Sequence, residues 1–284
     1  MCDDHSVADM QGLSRRGFAL GVAGFGAALA DPVWAAVGGD GSLAEAMVSV
    51  PTADGHADAF FVHPAKGRHP GVLLWPDIAG LRETYKAMAR RLAAQGFAVL
   101  AVNHYYRNGT APLLSGLVAW MTPEGSAKIK PALAALIPAA AVSDAHGYVA
   151  WLDAQAAVDQ ARGLGTVGYC AGGALAVRAA GASRRIRAVA SLHGAALVSP
   201  AADAPYRAIA GSDAAFLFAI GRNDDARSPG DKDALRAACA AAGRPAEIEV
   251  YPADHGWCTL DAPSYDKVQA DRAFGREVAV LQKV

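Results

Sequence analysis

Cysteine and excess charge are both scarce in this sequence, and each scarcity excludes a class of protein. Four cysteines in 284 residues are too few for a disulfide framework, and no C-x-x-C motif or Cys/His cluster has the spacing of a zinc site. Lys and Arg number 26 against 27 Asp and Glu, so the formal net charge of −1 leaves no basic excess for nucleic acid. Phosphate-binding glycine loops and haem-attachment motifs are also missing, and we therefore expect neither a metal nor another cofactor.

What the sequence does contain indicates one folded domain. Charged residues make up only 19% of the chain, whereas hydrophobic residues make up 53%, a balance that argues against disorder. The length suits one large domain with a substantial core, and no internal repeat or low-complexity linker divides it.

The N-terminal segment has the pattern of an export signal. The sequence SRRGFAL at 14–20 precedes a run of small apolar residues, and VWA at 33–35 offers a small-residue cleavage site. The paired arginines resemble a twin-arginine signal. The alternative is a membrane anchor, but an apolar run of about fourteen residues is shorter than the ~20 that span a bilayer. We predict a signal peptide at 1–35, export to the periplasm or the extracellular space, no stable membrane span, and a folded domain at 36–284.

Short, wholly apolar runs alternate with Ala-rich helical stretches through the rest of the chain. This alternation predicts an α/β fold with a mainly parallel central sheet and helices on both faces. The predicted strands are 60–63, 71–75, 97–102, 164–169, 186–192, 215–220 and 248–251, and the predicted helices are 82–95, 149–161, 174–180, 231–242 and 265–282.

One stretch interrupts the alternation. Residues 107–143 contain four prolines and several short apolar pieces, and connections of this length in a compact α/β domain are usually lids or binding loops. We predict a lid-like insertion over the site, the alternative being an excursion of the scaffold with no role.

The candidate nucleophile follows the predicted strand 164–169. The sequence GYCAGG at 168–173 has the G-x-nucleophile-x-G pattern of a strand-to-helix elbow, with Cys170 where serine is more usual. Such a turn exposes the thiol at a helix N-terminus, whose partial positive charge favours the thiolate. The amide N–H of Ala171 then points at a developing oxyanion. The alternative is a buried structural cysteine in a chain rich in Ala and Gly.

Chain order selects the base and the acid that this nucleophile needs. In α/β-hydrolases the acid and then the histidine follow the nucleophile, and only His193 and His255 lie beyond Cys170. His255 follows the last predicted strand, whereas His193 precedes every plausible acid and is better explained as a structural or pocket-lining residue. Two adjacent aspartates follow strand 215–220, and we favour Asp224 over Asp225 as the acid.

Together, Cys170 in Gly-Tyr-Cys-x-Gly-Gly, Asp224 and His255 resemble the dienelactone hydrolase family over residues 46–284. In that family a Glu after the first central strand interacts with the resting Cys and helps to generate the thiolate. The resemblance aligns Asp77, one methylene shorter, with that Glu, and makes the N–H of Ile78 the second oxyanion donor.

The same resemblance implies a binding site for substrate. Tyr105-Tyr106-Arg107 matches a family Tyr-x-Arg whose Arg receives the substrate carboxylate, and the alternative for Arg107 is a surface salt bridge. Trp257, next to the predicted base, is the tryptophan expected to wall the pocket.

We therefore expect a carboxylic ester hydrolase that cleaves a small ester or lactone through a thioester acyl-enzyme. The alternatives are a broad small-molecule carboxylesterase and a non-catalytic exported thiol sensor on the same fold. The sequence leaves open the physiological substrate, the oligomeric state and a pairing of Cys239 with Cys258.

Overall fold

The computed structural model describes residues 42–284, and the predicted signal peptide lies outside the described residues. Eight strands form one sheet in the order β1-β2-β4-β3-β5-β6-β7-β8. The pairs β1/β2 and β2/β4 are antiparallel, and every pair from β4 to β8 is parallel. The strands are β1 (Leu43–Thr52), β2 (Gly55–Pro64), β3 (Gly71–Trp75), β4 (Ala98–Val102), β5 (Leu164–Tyr169), β6 (Ile186–Leu192), β7 (Ala215–Gly221) and β8 (Ala246–Tyr251).

Helices cover both faces of the sheet and fill the insertion after β4. They are α1 (Glu83–Ala93), α2 (Leu117–Trp120), α3 (Pro123–Ala135), α4 (Pro138–Asp153), α5 (Ala171–Ala182), α6 (Arg222–Arg227), α7 (Asp231–Ala242) and α8 (Lys267–Leu281). Short 3₁₀ turns occur at Tyr106–Asn108 and Pro205–Gly211.

The parallel strands are apolar on both faces because a helix layer packs on each. Along β3, Leu73 and Trp75 enter the core beneath α4, α5 and α7, whereas Val72 and Leu74 enter the core beneath α1 and α8. Every residue of β3 and β4 is buried, which accounts for their continuous apolar sequence. This is an α/β-hydrolase fold with a mainly parallel central sheet, as the sequence predicts.

A third buried cluster lies under the insertion. Leu113, Leu114, Leu117 and Trp120 pack with Ile129 and with the loop that follows β3. The insertion therefore has an apolar underside of its own and is packed onto the carboxyl edge of the sheet.

One predicted helix is misplaced, and the sequence analysis missed strand β1 and the helices α2, α3 and α6. The helix predicted at 149–161 is wrong, because the helix runs from Pro138 to Asp153, with Pro138 in its first turn where a missing N–H costs nothing. Strand β1 was not predicted, because it lies at the edge of the sheet and most of its residues are exposed or half-buried, so it lacks a continuous apolar run.

Within residues 42–284, no single helix is both long and apolar enough to cross a membrane. The α3–α4 pair, bent by 80° at its break, passes the length and composition test only when its two helices are taken together.

Candidate active site

The carboxyl ends of neighbouring parallel strands bring the candidate residues together. Trp75 at the end of β3 is paired in register with Gly168 of β5, and Tyr169 is paired with Leu192 of β6. The loop after β3 therefore lies beside Cys170 on one side, and His193 lies beside it on the other. Gly221 of β7 is paired with Tyr251 of β8, which puts the loops carrying Asp224 and His255 side by side.

Cys170 stands in a strained turn between β5 and α5. Its backbone has φ 52° and ψ −120°, a region that non-glycine residues rarely adopt and that places the residue at the helix N-terminus. The flanking glycines make the turn possible. A Cβ at Gly168 would lie 2.0 Å from the carbonyl oxygen of Gly172, and a Cβ at Gly172 would lie 2.3 Å from that of Trp75. The elbow geometry thus requires the two glycines that the sequence supplies.

His255 contacts both Cys170 and Asp224. Its Nδ1 lies 2.8 Å from Oδ2 of Asp224, and the Cys170 sulfur lies close enough to the ring to favour its protonated form. Burial opposes protonation of the ring, but Cys170 and Asp224 outweigh it and raise the pKa of His255 well above its ordinary value. The neighbouring Asp225 instead pairs with Lys232 at 2.5 Å. Of the two aspartates left open by the sequence, the structure brings Asp224 to the imidazole.

Backbone contacts fix the loop that carries His255. The amide N–H of His255 donates to Oδ1 of Asn223 at 2.8 Å, and the hydroxyl of Ser264 donates to its carbonyl oxygen at 2.6 Å. These bonds hold the ring against Asp224, so its Nδ1 is committed to the carboxylate.

The loop after β3 supplies an N–H beside the elbow. The closeness of Gly172 to the carbonyl oxygens of Trp75 and Pro76 shows that this loop packs directly on the start of α5. Within the described residues, the amide N–H groups of Ile78 and Ala171 have no protein acceptor, so both can donate to a ligand oxygen. This arrangement has the parts of an oxyanion hole.

Comparison with known proteins gives a family match over most of the described residues. Residues 57–284 match the dienelactone hydrolase family. The chain belongs to the dienelactone hydrolase family. A protein of Methylorubrum extorquens named "Putative carboxymethylenebutenolidase" is 30% identical over 235 residues, which cover 81% of this chain and 77% of that protein. Family membership makes the protein a hydrolase that acts on small-molecule esters or lactones.

Solved structures share the fold of this dienelactone hydrolase family member. The "Putative Dienelactone Hydrolase" of Klebsiella pneumoniae superposes with a TM-score of 0.73 at 22% identity, covering 86% of this chain and all of that one. A dienelactone hydrolase-like promiscuous phosphotriesterase from metagenomic libraries superposes with a TM-score of 0.70 at 20% identity, covering 85% of this chain and 98% of that one.

Asp77, at the position of the family glutamate, is bound by an arginine. Both of its oxygens accept from Arg82, at 2.7 and 2.9 Å, and Oδ1 also accepts from the amide of Ala79. Arg82 in turn makes two bonds of 2.8 and 2.7 Å to Asp261, in the loop beyond His255. Asp77 is 1% exposed and Arg82 is 2% exposed, so this is a buried ion network.

The three predicted substrate-binding side chains of this family member have different surroundings. Tyr105 is buried, and its hydroxyl donates to the carbonyl oxygen of Ile78 at 3.0 Å. This bond holds Tyr105 against the loop after β3, called here the candidate oxyanion loop because it carries the N–H of Ile78. Arg107 forms ion pairs with Asp54 and Asp144. Trp257 is fully buried and stacks on Tyr251, so it supports the histidine loop from beneath.

His193 contacts the elbow more closely than the sequence suggests. Its Nδ1 accepts from the amide N–H of Cys170 at 3.0 Å, and its ring centroid lies 5.0 Å from that of His255. Burial and the neighbouring His255 lower the pKa of His193 well below its ordinary value, so the ring is neutral. With Nδ1 accepting, the proton of the neutral ring is on Nε2.

Sequence reasoning also missed Arg82 and Asp261 in this member of the family. One hint of Arg82 was available in the sequence, because a cationic residue directly follows the apolar segment that ends at Leu81. Asp261 lies 179 residues further along the chain, and no such hint pointed to it. The three described cysteines are free, and Cys239 and Cys258 lie in core clusters on opposite faces of the sheet, so they do not pair.

Proposed function

We propose that this dienelactone hydrolase family member cleaves its ester or lactone through a Cys170–His255–Asp224 triad and a thioester acyl-enzyme. The observation that carries the proposal is the single chain of contacts from the strained Cys170, through the ring of His255, to Asp224 at 2.8 Å. A nucleophile, a base and an orienting acid in this order are the working parts of nucleophilic catalysis.

In the first half-reaction the Cys170 thiolate attacks the carbonyl carbon, and the carbonyl π electrons move to oxygen. The amide N–H groups of Ile78 and Ala171 stabilise this oxyanion, a contribution on the order of 3 kcal/mol per donor. The C–O bond then breaks as protonated His255 gives its proton to the departing alkoxide, and a thioester remains on the sulfur. A lactone opens in the same step, so that both halves stay attached.

In the second half-reaction His255 removes a proton from water, and the resulting hydroxide attacks the thioester. The tetrahedral intermediate collapses with loss of the Cys170 thiolate, and the acid product leaves. Asp224 holds the Nδ1–H of the ring throughout and stabilises the imidazolium, which forms when His255 takes the thiol proton of Cys170, is consumed in the first half-reaction and is regenerated in the second.

A pair of alanine variants tests the proposal. Cys170→Ala removes the nucleophile and abolishes hydrolysis of a 4-nitrophenyl ester, whereas Cys239→Ala, in the core on one face of the sheet, leaves turnover intact. Mass spectrometry of the rapidly quenched wild type shows an acyl adduct on the peptide containing Cys170. Full activity in Cys170→Ala rejects the triad, and thiol oxidation without turnover in the wild type supports the sensor alternative instead.

We also propose that the protein is exported as a folded domain. The support is the sequence SRRGFAL at 14–20 with the small-residue site at 33–35. Fractionation of cells tests this, since replacement of both Arg15 and Arg16 by Lys retains the full-length chain in the cytoplasm if the signal is of the twin-arginine type.

A further inference from the structure

Arg82 binds Asp77 and the carbonyl oxygen of Gly80 in the loop after β3, and all of its N–H groups are used as donors. A guanidinium has five N–H donors. Nε donates to Asp261, Nη1 donates to Asp77 and to the carbonyl oxygen of Gly80, and Nη2 donates to both carboxylates, all at 2.7–3.0 Å. No N–H of Arg82 is left to bind a carboxylate on a substrate.

Arg107, the carboxylate anchor implied by the family resemblance, donates four of its five N–H groups to two aspartates. Nε and Nη2 donate to Asp54, and Nη1 and Nη2 donate to Asp144, at 2.6–2.9 Å. Asp144 is fully buried and also accepts from the hydroxyl of Tyr106 at 2.8 Å. Because removing Arg107 from Asp144 leaves a buried carboxylate without its counter-ion, a substrate cannot recruit this arginine cheaply.

These two arginine clusters therefore offer no net positive charge to an anionic substrate. Each of the two guanidinium groups faces two carboxylates, so each cluster is net negative rather than net positive. Arg227, on the exposed helix beside the triad, is itself paired with Asp224 at 3.6 Å. A substrate carboxylate that approaches either arginine meets two carboxylates and, in exchange for its water, can gain at most the one remaining N–H of Arg107.

An apolar cluster adjoins the residues that carry the candidate oxyanion donors. The buried cluster under the insertion includes Ile78, and Ala171 packs against it. Leu113, Leu117, Trp120 and Tyr105 belong to the same cluster. The cluster contains no charged side chain, so it offers no counter-ion to a substrate carboxylate.

We propose that the protein selects uncharged esters or lactones and discriminates against substrates that carry a carboxylate. This inference rests on the proposed Cys170-dependent hydrolysis. Arg107 then has a structural role, as the counter-ion of the buried Asp144, and Arg82 is the counter-ion of Asp77.

A matched pair of substrates tests the inference. 4-Nitrophenyl pentanoate and mono-(4-nitrophenyl) glutarate share the leaving group and the length of the acyl chain, and they differ in a terminal methyl against a carboxylate. We expect kcat/KM to be at least about tenfold higher for the pentanoate, with the rate in Cys170→Ala subtracted as the blank.

Two variants assign the cause. Arg184→Ala is the control, because Arg184 is 82% exposed and lies just before β6, at the opposite edge of the sheet. We expect the ratio of kcat/KM for the pentanoate to kcat/KM for the glutarate to be the same in Arg107→Ala as in this control. In Asp261→Asn, which removes one negative charge beside Arg82, the relative rate of the glutarate rises about threefold or more. Each ratio is measured within one protein, so a loss of folded protein does not affect it.

The outcomes separate the two proposals. Equal or greater turnover of the glutarate, dependent on Cys170, overturns the selectivity and leaves the triad standing. A selective loss of the glutarate rate in Arg107→Ala restores Arg107 as an anchor and also overturns the inference. Absence of Cys170-dependent turnover of both esters overturns the proposed function, and the selectivity with it.

Discussion

Glu277 offers a stability test that is independent of the catalytic proposal. It lies on α8, is 1% exposed, and both of its oxygens accept from the hydroxyl of Tyr169, the residue before Cys170. Burial raises the pKa of Glu277 from its ordinary 4.5 to about 7, against the opposing effects of Tyr169 and of the Arg91 charge. The folded protein therefore keeps a proton on Glu277 over a range in which the unfolded chain has lost it.

The sign and size of the effect follow from this difference. The protonated carboxyl is favoured by the fold, so its contribution to stability is complete below pH 4.5 and is lost as the pH rises to about 7. A difference of about 2.5 pKa units at 1.36 kcal/mol each corresponds to about 3 kcal/mol. Glu277→Gln keeps a neutral amide at every pH, so its free energy of unfolding relative to wild type rises by about 3 kcal/mol between pH 4.5 and pH 8.

Urea unfolding followed by tryptophan fluorescence at several pH values measures this difference. Glu124→Gln, the same change at an exposed position of α3, corrects for the replacement of a surface carboxylate. Tyr169→Phe removes the bond that favours the ionised carboxylate, so it shifts the loss of stability to higher pH. A stability difference between Glu277→Gln and wild type that is the same at every pH refutes the assignment of a raised pKa to Glu277.

Three further predictions concern the site. Among the three described cysteines, iodoacetamide near pH 6 modifies Cys170 alone, as peptide mapping will show, because burial raises the pKa of Cys239 to about 11 and that of Cys258 well above its ordinary value; labelling of these three at similar rates contradicts an activated Cys170. His193→Leu removes the side-chain acceptor that the Cys170 N–H shares with the carbonyl oxygen of Leu192, and we expect it to lower kcat several-fold, whereas His193→Asn, which keeps a side-chain acceptor and tolerates the φ of 40°, recovers most of the activity; equal loss in both variants excludes this role. Arg82→Met leaves Asp77 buried without a counter-ion and lowers the free energy of unfolding by about 3–5 kcal/mol, against less than about 1 for Arg90→Met at an exposed pair, both measured by urea titration.

Elements with a strong local pattern were predictable from the sequence. The elbow at Cys170 was predictable because glycines flank it in a short segment that joins an apolar strand to a helix. The contact of His255 with Asp224 was predictable because both residues follow strands that are neighbours in the sheet. The parallel strands were recognisable because both of their faces are buried.

Features that join distant segments were not predictable. The Arg82–Asp261 bond spans 179 residues and the Arg107–Asp144 bond spans 37, and neither pair has a local signature. The helix Pro138–Asp153 was misplaced because its sequence is apolar and Ala-rich throughout and gives no clear face. The role of His193 depends on the register that sets Tyr169 opposite Leu192, which a sequence pattern does not specify.

The Arg82 network bears on how the proposed thiolate arises. The family resemblance aligns Asp77 with a glutamate that interacts with the resting Cys. In this protein, however, both Asp77 oxygens accept hydrogen bonds from the buried guanidinium of Arg82. Moving this carboxylate to the sulfur means breaking two charged bonds inside the protein, a step that costs several kcal/mol. His255, already in contact with both Cys170 and Asp224, is therefore the group that takes the thiol proton in the proposed mechanism.

The same network explains what Asp77 does instead. Arg82 links the loop of Ile78 to Asp261 beyond His255, and Asp261 accepts from the amide of Leu117 in the insertion at 3.2 Å. One buried guanidinium thus ties together the candidate oxyanion loop, the histidine loop and the insertion that covers them. Preorganised donors stabilise a transition state only if they do not move as charge develops. The ionic contact of Arg82 with Asp77 keeps the Ile78 N–H in place, and the same contact prevents Asp77 from taking part in proton transfer.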